Sequence, residues 1–307
     1  MITRLARFLA CPLLCLALLS SVCQGSVYSD SVISDTGPVL YWNLDETSGT
    51  QAADLVGDAP AGYNHGIYTG AIAQGNAGPR PSDGLANMDS LNLAPAWTGD
   101  DQGVEYTSLY TTAGIDRTAY SAQLWFNSSS AFGDKALNYV LGRGNGYTAG
   151  KDMRDQVYVG GTYTGIVKDK LGYLSGQSSD GGIKLVGTRT LRPDTWYHVV
   201  LVRDDSQTEN VSVYLNGQLE MQGTAPWIDV AGNPAGNGEY LSTGNRSDFH
   251  ATGWLGLEGR WDEVAVWDRP LSAAEAKGLF NSAVGGPAYV NAVMADSPAA
   301  YWRLNET

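Results

Sequence analysis

The stretch TWYHVVLVRDDSQTENVSVYLNGQLEM, Thr195 to Met221, decides the fold. In an extended strand alternate side chains leave on opposite sides. Trp196, Val200 and Val202 therefore share one face, and Tyr197, Val199 and Leu201 the other. A strand apolar on both faces is a central strand covered on both sides. Burying six such side chains supplies roughly 1.5–3 kcal/mol each before the entropy of ordering is subtracted. Arg203 to Asn210 is a charged, solvated connection, after which Val211, Val213 and Leu215 alternate with Ser212, Tyr214 and Asn216. Asn216-Gly217 is a hairpin signal, because both residues tolerate positive φ and the turn they make matches strand twist. The register stays open. A two-residue loop pairs Leu215 with Gln218 and Tyr214 with Leu219, whereas the apolar pattern faces Leu215 with Leu219 through a three-residue connection.

The run from Asp194 to Arg203 (DTWYHVVLVR), followed by Val213 to Gly217 (VYLNG), resembles the central strands of laminin G-like domains, members of the concanavalin A-like lectin/glucanase jelly rolls. Gly259 to Glu275 (GRWDEVAVWDRPLSAAE) is similar to that family's closing strand and terminal helix, and Tyr41 to Glu46 (YWNLDE) to its opening strand. The motifs stand in the family's order. The resemblance implies an all-β, two-sheet antiparallel jelly-roll sandwich with one short C-terminal helix, and says far less about function. The residues support that helix independently at Ser272 to Ala283. Ser272 and Glu275 form a capping box, Ala276, Leu279, Phe280 and Ala283 recur on one face, and Gly285-Gly286-Pro287 ends it.

At the N-terminus, Arg4 and Arg7 precede an apolar run, Phe8 to Leu19, and then small residues. This is the order of a secretory signal peptide, too short for the roughly 20 residues of a spanning helix. We expect residues 1–25 to be removed after Cys23 or Gly25, leaving no transmembrane segment and a secreted or cell-surface protein. All three cysteines (Cys11, Cys15, Cys23) lie in this segment, so the exported protein relies on core size rather than disulfides. Lipoprotein anchoring at Cys23 is the minor alternative, because Val22 stands where a small residue is wanted.

The 38 Gly, 17 Tyr and 9 Trp against 5 Met and 5 Phe suit aromatic strands with many turns. A formal charge of −13 argues against nucleic acid or anionic membrane as partner, and no basic cluster is visible. Strands are expected at Val39 to Leu44, Ser90 to Leu93, Val104 to Tyr106, Ala122 to Phe126, Tyr139 to Leu141, Gln156 to Val159, Gly172 to Leu174 and Ile183 to Val186, with a loop from Asp54 to Gly66. The main domain spans residues 26–285.

Residues 286–307 form a separate segment. Tyr289 to Thr307 realigns with Tyr28 to Thr47 after one gap, placing Val293 on Val32, Pro298 on Pro38, Tyr301-Trp302 on Tyr41-Trp42 and Leu304 on Leu44. Thr307 falls on Thr47, a period of 260 residues and so a whole domain, and the segment reads as the opening strand of a second repeat.

Three kinds of site were weighed. The resemblance implies a structural calcium ion held by a closing-strand aspartate, whose match is Asp262. Calcium wants six to eight oxygens, and the loop beginning at Asp54 offers more. Equally open is a reading in which Asp262 is a strand-edge carboxylate bonded to amides and Asp54 a turn residue. For sugars, Trp97, Trp227 and Trp254 lie in Gly/Pro-rich surroundings outside the clearest core strands and offer platforms for pyranose C–H faces, although a core role suits any one of them.

For catalysis, glycosidase relatives of the fold carry alternating carboxylates on one strand. Here Glu258 and Glu263 fall on opposite faces of any regular strand, and retaining hydrolysis needs carboxyl groups about 5–5.5 Å apart. His65, His198 and His250 are scattered, with His198 read as a satisfied core histidine. The expected function is a non-catalytic exported binding or adhesion module for carbohydrate or extracellular protein within a larger tandem-repeat protein. The alternatives are a structural spacer without ligand, or an accessory domain of a glycoside hydrolase.

Overall fold

Two eight-stranded antiparallel sheets stack face to face in the computed structural model, which describes residues 26–56, 65–69, 72–97, 108–111, 118–128, 137–144, 153–162, 166–175, 183–225, 240–244 and 256–285. Helix α1 (Val27–Thr36) precedes β1 (Leu40–Trp42), β2 (Gln51–Ala52), β3 (Gly66–Thr69), β4 (Ile72–Ala77) and β5 (Leu93–Trp97). Next come β6 (Ser108–Thr111), β7 (Ala119–Ser128), β8 (Leu137–Gly144), β9 (Met153–Gly160), β10 (Lys170–Ser175) and β11 (Ile183–Thr190). The described chain continues through β12 (Tyr197–Asp204), β13 (Val211–Leu215), β14 (Gln218–Gly223), β15 (Tyr240–Thr243), β16 (Gly259–Trp267) and α2 (Ala273–Val284). Sheet A runs β14-β13-β12-β7-β16-β5-β4, with β1 added on β16; sheet B runs β11-β10-β9-β8-β15-β6-β3-β2.

The β12 strand is central, between β13 and β7, and its two faces are divided as the alternation predicts. Val199 and Leu201 enter the core between the sheets, where they meet Trp42, Leu124, Phe126 and Trp261 of sheet A and Val157, Leu171 and Tyr173 of sheet B. Trp196, Val200 and Val202 face the other way, into a second layer with Trp125, Trp267, Tyr28 and Val32 of α1, and Ala276, Leu279 and Ala283 of α2. His198 lies on this second face, fully buried, its Nε2 2.8 Å from Gln123 Oε1 and its ring against Trp125 and Phe280. Burial pushes its pKa down to about 3, so it is a neutral core residue, but it is only half satisfied, because Nδ1 is buried with no hydrogen-bond partner among the described residues.

The hairpin takes the two-residue connection, and a bulge after it settles the register. Asn216 and Gly217, at φ 50° and 71°, make the two-residue turn, with Leu215 opposite Gln218 and Tyr214 opposite Leu219. The register then shifts, so that Val213 faces Met221. This bulge returns Met221 to the core and leaves Leu219 half exposed. Glu220, the extra residue, accepts hydrogen bonds from the amides of Thr188 and Arg189 at 2.6 and 2.8 Å, so the bulge also ties β14 to β11. Those bonds and the Arg189 guanidinium outweigh its burial and hold its carboxyl below the usual range.

The jelly-roll sandwich and its short C-terminal helix are as expected, and the described residues add a second helix, α1, that the sequence did not signal. Ser26 caps α1 by accepting from Ser29 N at 3.0 Å, Gly37 closes it in the left-handed conformation, and only Tyr28, Ser29 and Val32 are buried. So few apolar contacts leave almost no helical period in the sequence. The strand expected at Ser90 to Leu93 instead begins at Leu93 and runs to Trp97. It passes through Pro95, which has no register partner on β4 or β16, because a register shift in β4 leaves the proline outside the ladder. The C-terminal helix matches its reading, with the Ser272–Glu275 capping box formed in both directions and Gly285 as its left-handed cap. The Val104 to Tyr106 strand, residues 1–25 and residues 286–307 lie outside the described residues. No described helix is long and apolar enough to cross a membrane.

Candidate functional site

Asp262 sits near the start of β16 with no exposed surface. Its Oδ2 accepts from Asn92 Nδ2 at 2.7 Å, while Oδ1 is buried with no hydrogen-bond partner. Asn92 is held in turn by donating to the Pro79 carbonyl at 3.1 Å. Gly78 makes this approach possible: a Cβ there would stand 2.8 Å from Asp262 Oδ2 and 2.7 Å from the Leu93 carbonyl. At the end of β1, Asp45 accepts from Leu93 N at 2.9 Å and from Asn43 Nδ2 at 2.6 Å. Beside it Glu46 accepts from Ala53 N at 2.7 Å and Tyr68 Oη at 2.8 Å. Burial, then the charges of Asp45 and Glu46, push the Asp262 carboxyl well above the ordinary range, with hydrogen bonds from Glu263 N and Asn92 opposing. The pocket thus sets a carboxyl against two neighbouring like charges and leaves its Oδ1 without a partner among the described residues.

Asp54, the other expected ligand, lies in different company. Its Oδ1 accepts from the amides of Tyr41 at 2.9 Å and Val56 at 3.2 Å, and its own amide donates to His65 Nδ1 at 2.9 Å. The strongest like charges on Asp262 are Asp45 and Glu46 instead. Neither was singled out in the sequence as a site residue, although the pair follows β1 directly and Glu46 recurs as Glu306 in the terminal repeat.

A second buried cluster lies on the face of sheet B turned away from the inter-sheet core, on which no described helix packs. Tyr139 of β8 and Tyr158 of β9 meet edge to face, ring centroids 6.3 Å apart, with Leu137, Leu174 and Ile166 around them. Glycines form the floor. A Cβ on Gly172 would lie 2.3 Å from the Tyr158 ring, and one on Gly142 2.4 Å from Gln156 Oε1, so both side chains lie flat across the neighbouring strand. Gln156 Nε2 donates to the Arg143 carbonyl at 3.0 Å. The Tyr158 hydroxyl is buried without a partner among the described residues, and burial pushes its pKa up to about 12. The sequence shows these tyrosines only as strand residues, since nothing local marks which face will be left without a helix.

Of the expected sugar platforms, Trp97 ends β5 with its backbone paired to Ile72 and Gly259, and Trp227 and Trp254 lie outside the described residues. Other buried ionisable groups serve the scaffold. Arg203 Nη1 meets Asp155 Oδ1 at 2.7 Å, both fully buried, and Tyr120 Oη donates to Asp155 Oδ2 at 2.7 Å, so the cluster joins β7 and β12 of sheet A to β9 of sheet B. Glu263, next to Asp262, accepts from Tyr41 Oη instead and carries a positive φ of 55° at the bulge in β16. Among the described residues no group of three or more His, Cys, Asp or Glu converges to hold a metal ion.

Two stacked antiparallel sheets, with the closing strand β16 between the opening strand β1 and the long strand β7, define a jelly roll of the concanavalin A type. The family described as the concanavalin A-like lectin/glucanases superfamily matches residues 99–277, more than half of the chain, and this protein belongs to it. No curated protein matches the sequence. Among solved structures it is similar to domain 4 of AbnA, an extracellular arabinanase from Geobacillus stearothermophilus in complex with arabinotriose. That match has a TM-score of 0.50 and 15% identity, over 79% of this chain and 97% of that one. It is also similar to the Trypanosoma rangeli sialidase (TM-score 0.53, 14% identity, 82% of this chain, 34% of that one). The binding domain of Paraclostridial Mosquitocidal Protein 1 matches with TM-score 0.50 and 12% identity, over 80% of this chain and 52% of that one. At these identities the likeness is one of fold.

Proposed function

We propose that this protein is a non-catalytic binding module that acts outside the cytoplasm and takes carbohydrate as its ligand. The observation that supports the reading is the concanavalin A-like sandwich itself, similar over 79% of this chain to domain 4 of an extracellular arabinanase in complex with arabinotriose. Hydrolysis finds no support among the described carboxylates. Asp155 is neutralised by Arg203, and Asp262 and Glu263 bond to different partners. The test is a glycan panel followed by calorimetry on the best ligand. Tyr158→Phe is expected to leave the affinity unchanged and to melt no lower than the parent, since it deletes a buried hydroxyl that costs about 1–3 kcal/mol unpaired. Silence toward glycans and extracellular proteins alike, with the fold intact, would favour a spacer.

The proposal includes a structural calcium ion at Asp262. The unpartnered Oδ1 and the crowding of Asp45 and Glu46 fit a cation, and the group would be held by Asp262 with neighbouring carbonyl oxygens such as that of Leu93. Its role would be to neutralise buried charge and fix the closing strand. Export rests on the leader-like residues 1–25, and membership of a larger repeat protein on residues 286–307.

A further inference from the structure

Helices α1 and α2 run antiparallel over sheet A. Tyr28 N donates to the Asn87 carbonyl at 3.2 Å and Asn87 N to the Ala283 carbonyl at 3.0 Å, which ties the start of α1 to the end of α2. At the opposite end Arg269, just before α2, donates from Nη2 to the Thr36 carbonyl at 3.0 Å. Each helix turns its apolar residues down onto the sheet, Tyr28 and Val32 from α1 and Ala276, Leu279 and Ala283 from α2. The sides that face each other carry mostly short side chains and do not close. A cavity of about 440 Å³ lies between them, within the roughly 300–1,000 Å³ of small-molecule sites.

Helical spacing builds its walls. Val27, Ser31 and Asp35 stand at i, i+4 and i+8 on α1, and Glu275, Gly278 and Ser282 at i, i+3 and i+7 on α2. From Val27 to Asp35 the wall runs about 12 Å. Gly278 is the first pointer to an occupant. Glycine inside a helix is less stable than alanine, and a close neighbour is the usual reason for keeping it. Here a Cβ would meet nothing within 4 Å, so packing among the described residues does not demand a glycine. What would meet that Cβ is a molecule in the cavity. The second pointer is Asp35. Its carboxylate accepts from Ser31 Oγ at 3.0 Å and Ser34 Oγ at 2.9 Å, yet no basic residue stands in the last turn of α1, where the helix dipole already disfavours negative charge. Glu275 on the facing wall differs, being held by Arg269 Nη2 at 2.7 Å. At the far end of the cavity Asn281 adds a side-chain amide.

We infer that the cavity between α1 and α2 is the carbohydrate subsite of this protein, taking a short glycan that offers hydrogen-bond donors and no negative charge to Asp35. The inference rests on the carbohydrate reading above and adds to it a place and a charge preference. Sugar hydroxyls both donate and accept. Asp35 accepts from them at one end, the Asn281 amide pairs with them in either sense at the other, and Val27 and Leu279 lie against the apolar C–H groups between. An acidic sugar would set its carboxylate against Asp35, while Arg269 is already held by Glu275 and the Thr36 carbonyl, and is rejected.

The experiment screens the whole chain against short neutral, amine-bearing and acidic glycans, with arabinotriose, a glucosamine trimer and a galacturonic acid trimer among them, and titrates the tightest binder by calorimetry. That binder should not be acidic. Gly278→Leu, which fills the cavity, should weaken it at least about 10-fold. Asp35→Asn should weaken it at least about 3-fold and narrow the gap to the acidic trimer, a change of charge preference that a purely structural role for Asp35 would not produce. Thermal melts of both variants should stay within a few degrees of the parent; if Gly278→Leu melts lower, Ser31→Leu blocks the cavity from the opposite wall and should show the same loss. A glycan bound equally by the parent and by these variants would overturn the placement and leave the carbohydrate reading standing, as would a tightest binder that is acidic. Silence of the parent toward every glycan would remove the reading and the subsite together.

Discussion

Glu263 shows how one buried side chain governs the behaviour of the whole domain toward pH. It lies beneath α1, bonded to Tyr41 Oη, and burial raises its carboxyl pKa to about 8. A raised folded-state pKa means that the folded protein holds its proton more tightly than the unfolded chain. The stabilisation is therefore complete below the unfolded value near 4.5 and is lost as pH rises toward about 8, a span worth on the order of 5 kcal/mol. Urea unfolding at pH 5, 6.5 and 8 should show this decline, and Glu263→Gln, which cannot ionise, should flatten its share of it; parallel curves for the two proteins would show that Glu263 does not titrate in this window. At the same scale the sequence was unevenly informative. Asp262 could be found because it sits inside a family-like motif. Asp45 and Tyr158 could not, because what distinguishes them is a neighbour supplied by another strand.

Among the elements, the β13–β14 hairpin illustrates how local and long-range requirements combine. Asn216-Gly217 is legible as a turn from its tolerance of positive φ, but the glycine answers to a second demand. A Cβ on Gly217 would stand 3.0 Å from Phe280 Cβ and 3.2 Å from Lys277 Cα, so the turn tucks under α2. Gly217→Ala should therefore cost more than the roughly 1–2 kcal/mol of a left-handed alanine, and chemical denaturation should show the excess; a loss no larger than that figure would mean α2 moves aside without penalty. Helix α2 could be delimited from sequence by its capping box and glycine stop, whereas α1, with two apolar contacts over ten residues, is a helix because a surface exists for Tyr28 and Val32 to cover. The bulge at Glu220 belongs to the same class of result. Its position reconciles a tight turn with a buried Met221, and it is anchored by amides of β11, some thirty residues away in sequence.

For the molecule as a whole, the acidic pocket couples the opening and closing strands, and a cation there should act on global stability. Millimolar calcium is expected to raise the melting temperature by roughly 5–10 °C at 100-fold excess over its dissociation constant, and EDTA to reverse the gain. Asp262→Asn should melt no lower than the parent without calcium, because it puts a permanently neutral group where burial, Asp45 and Glu46 disfavour the carboxylate, and should not respond to the ion. A parent melt indifferent to both reagents would discard the site. Taken alone, the residues determined the layered β architecture, the division of β12 into two buried faces, the turn at Asn216-Gly217 and both ends of α2, since each is written in the spacing of side chains within a few residues. Tertiary structure alone decided that Asn92 meets Asp262 across 170 residues, that Tyr158 keeps an unanswered hydroxyl, and that α1 begins where α2 ends. Strand order brings those groups together, and strand order follows from how the faces of distant segments pack, which no local period encodes.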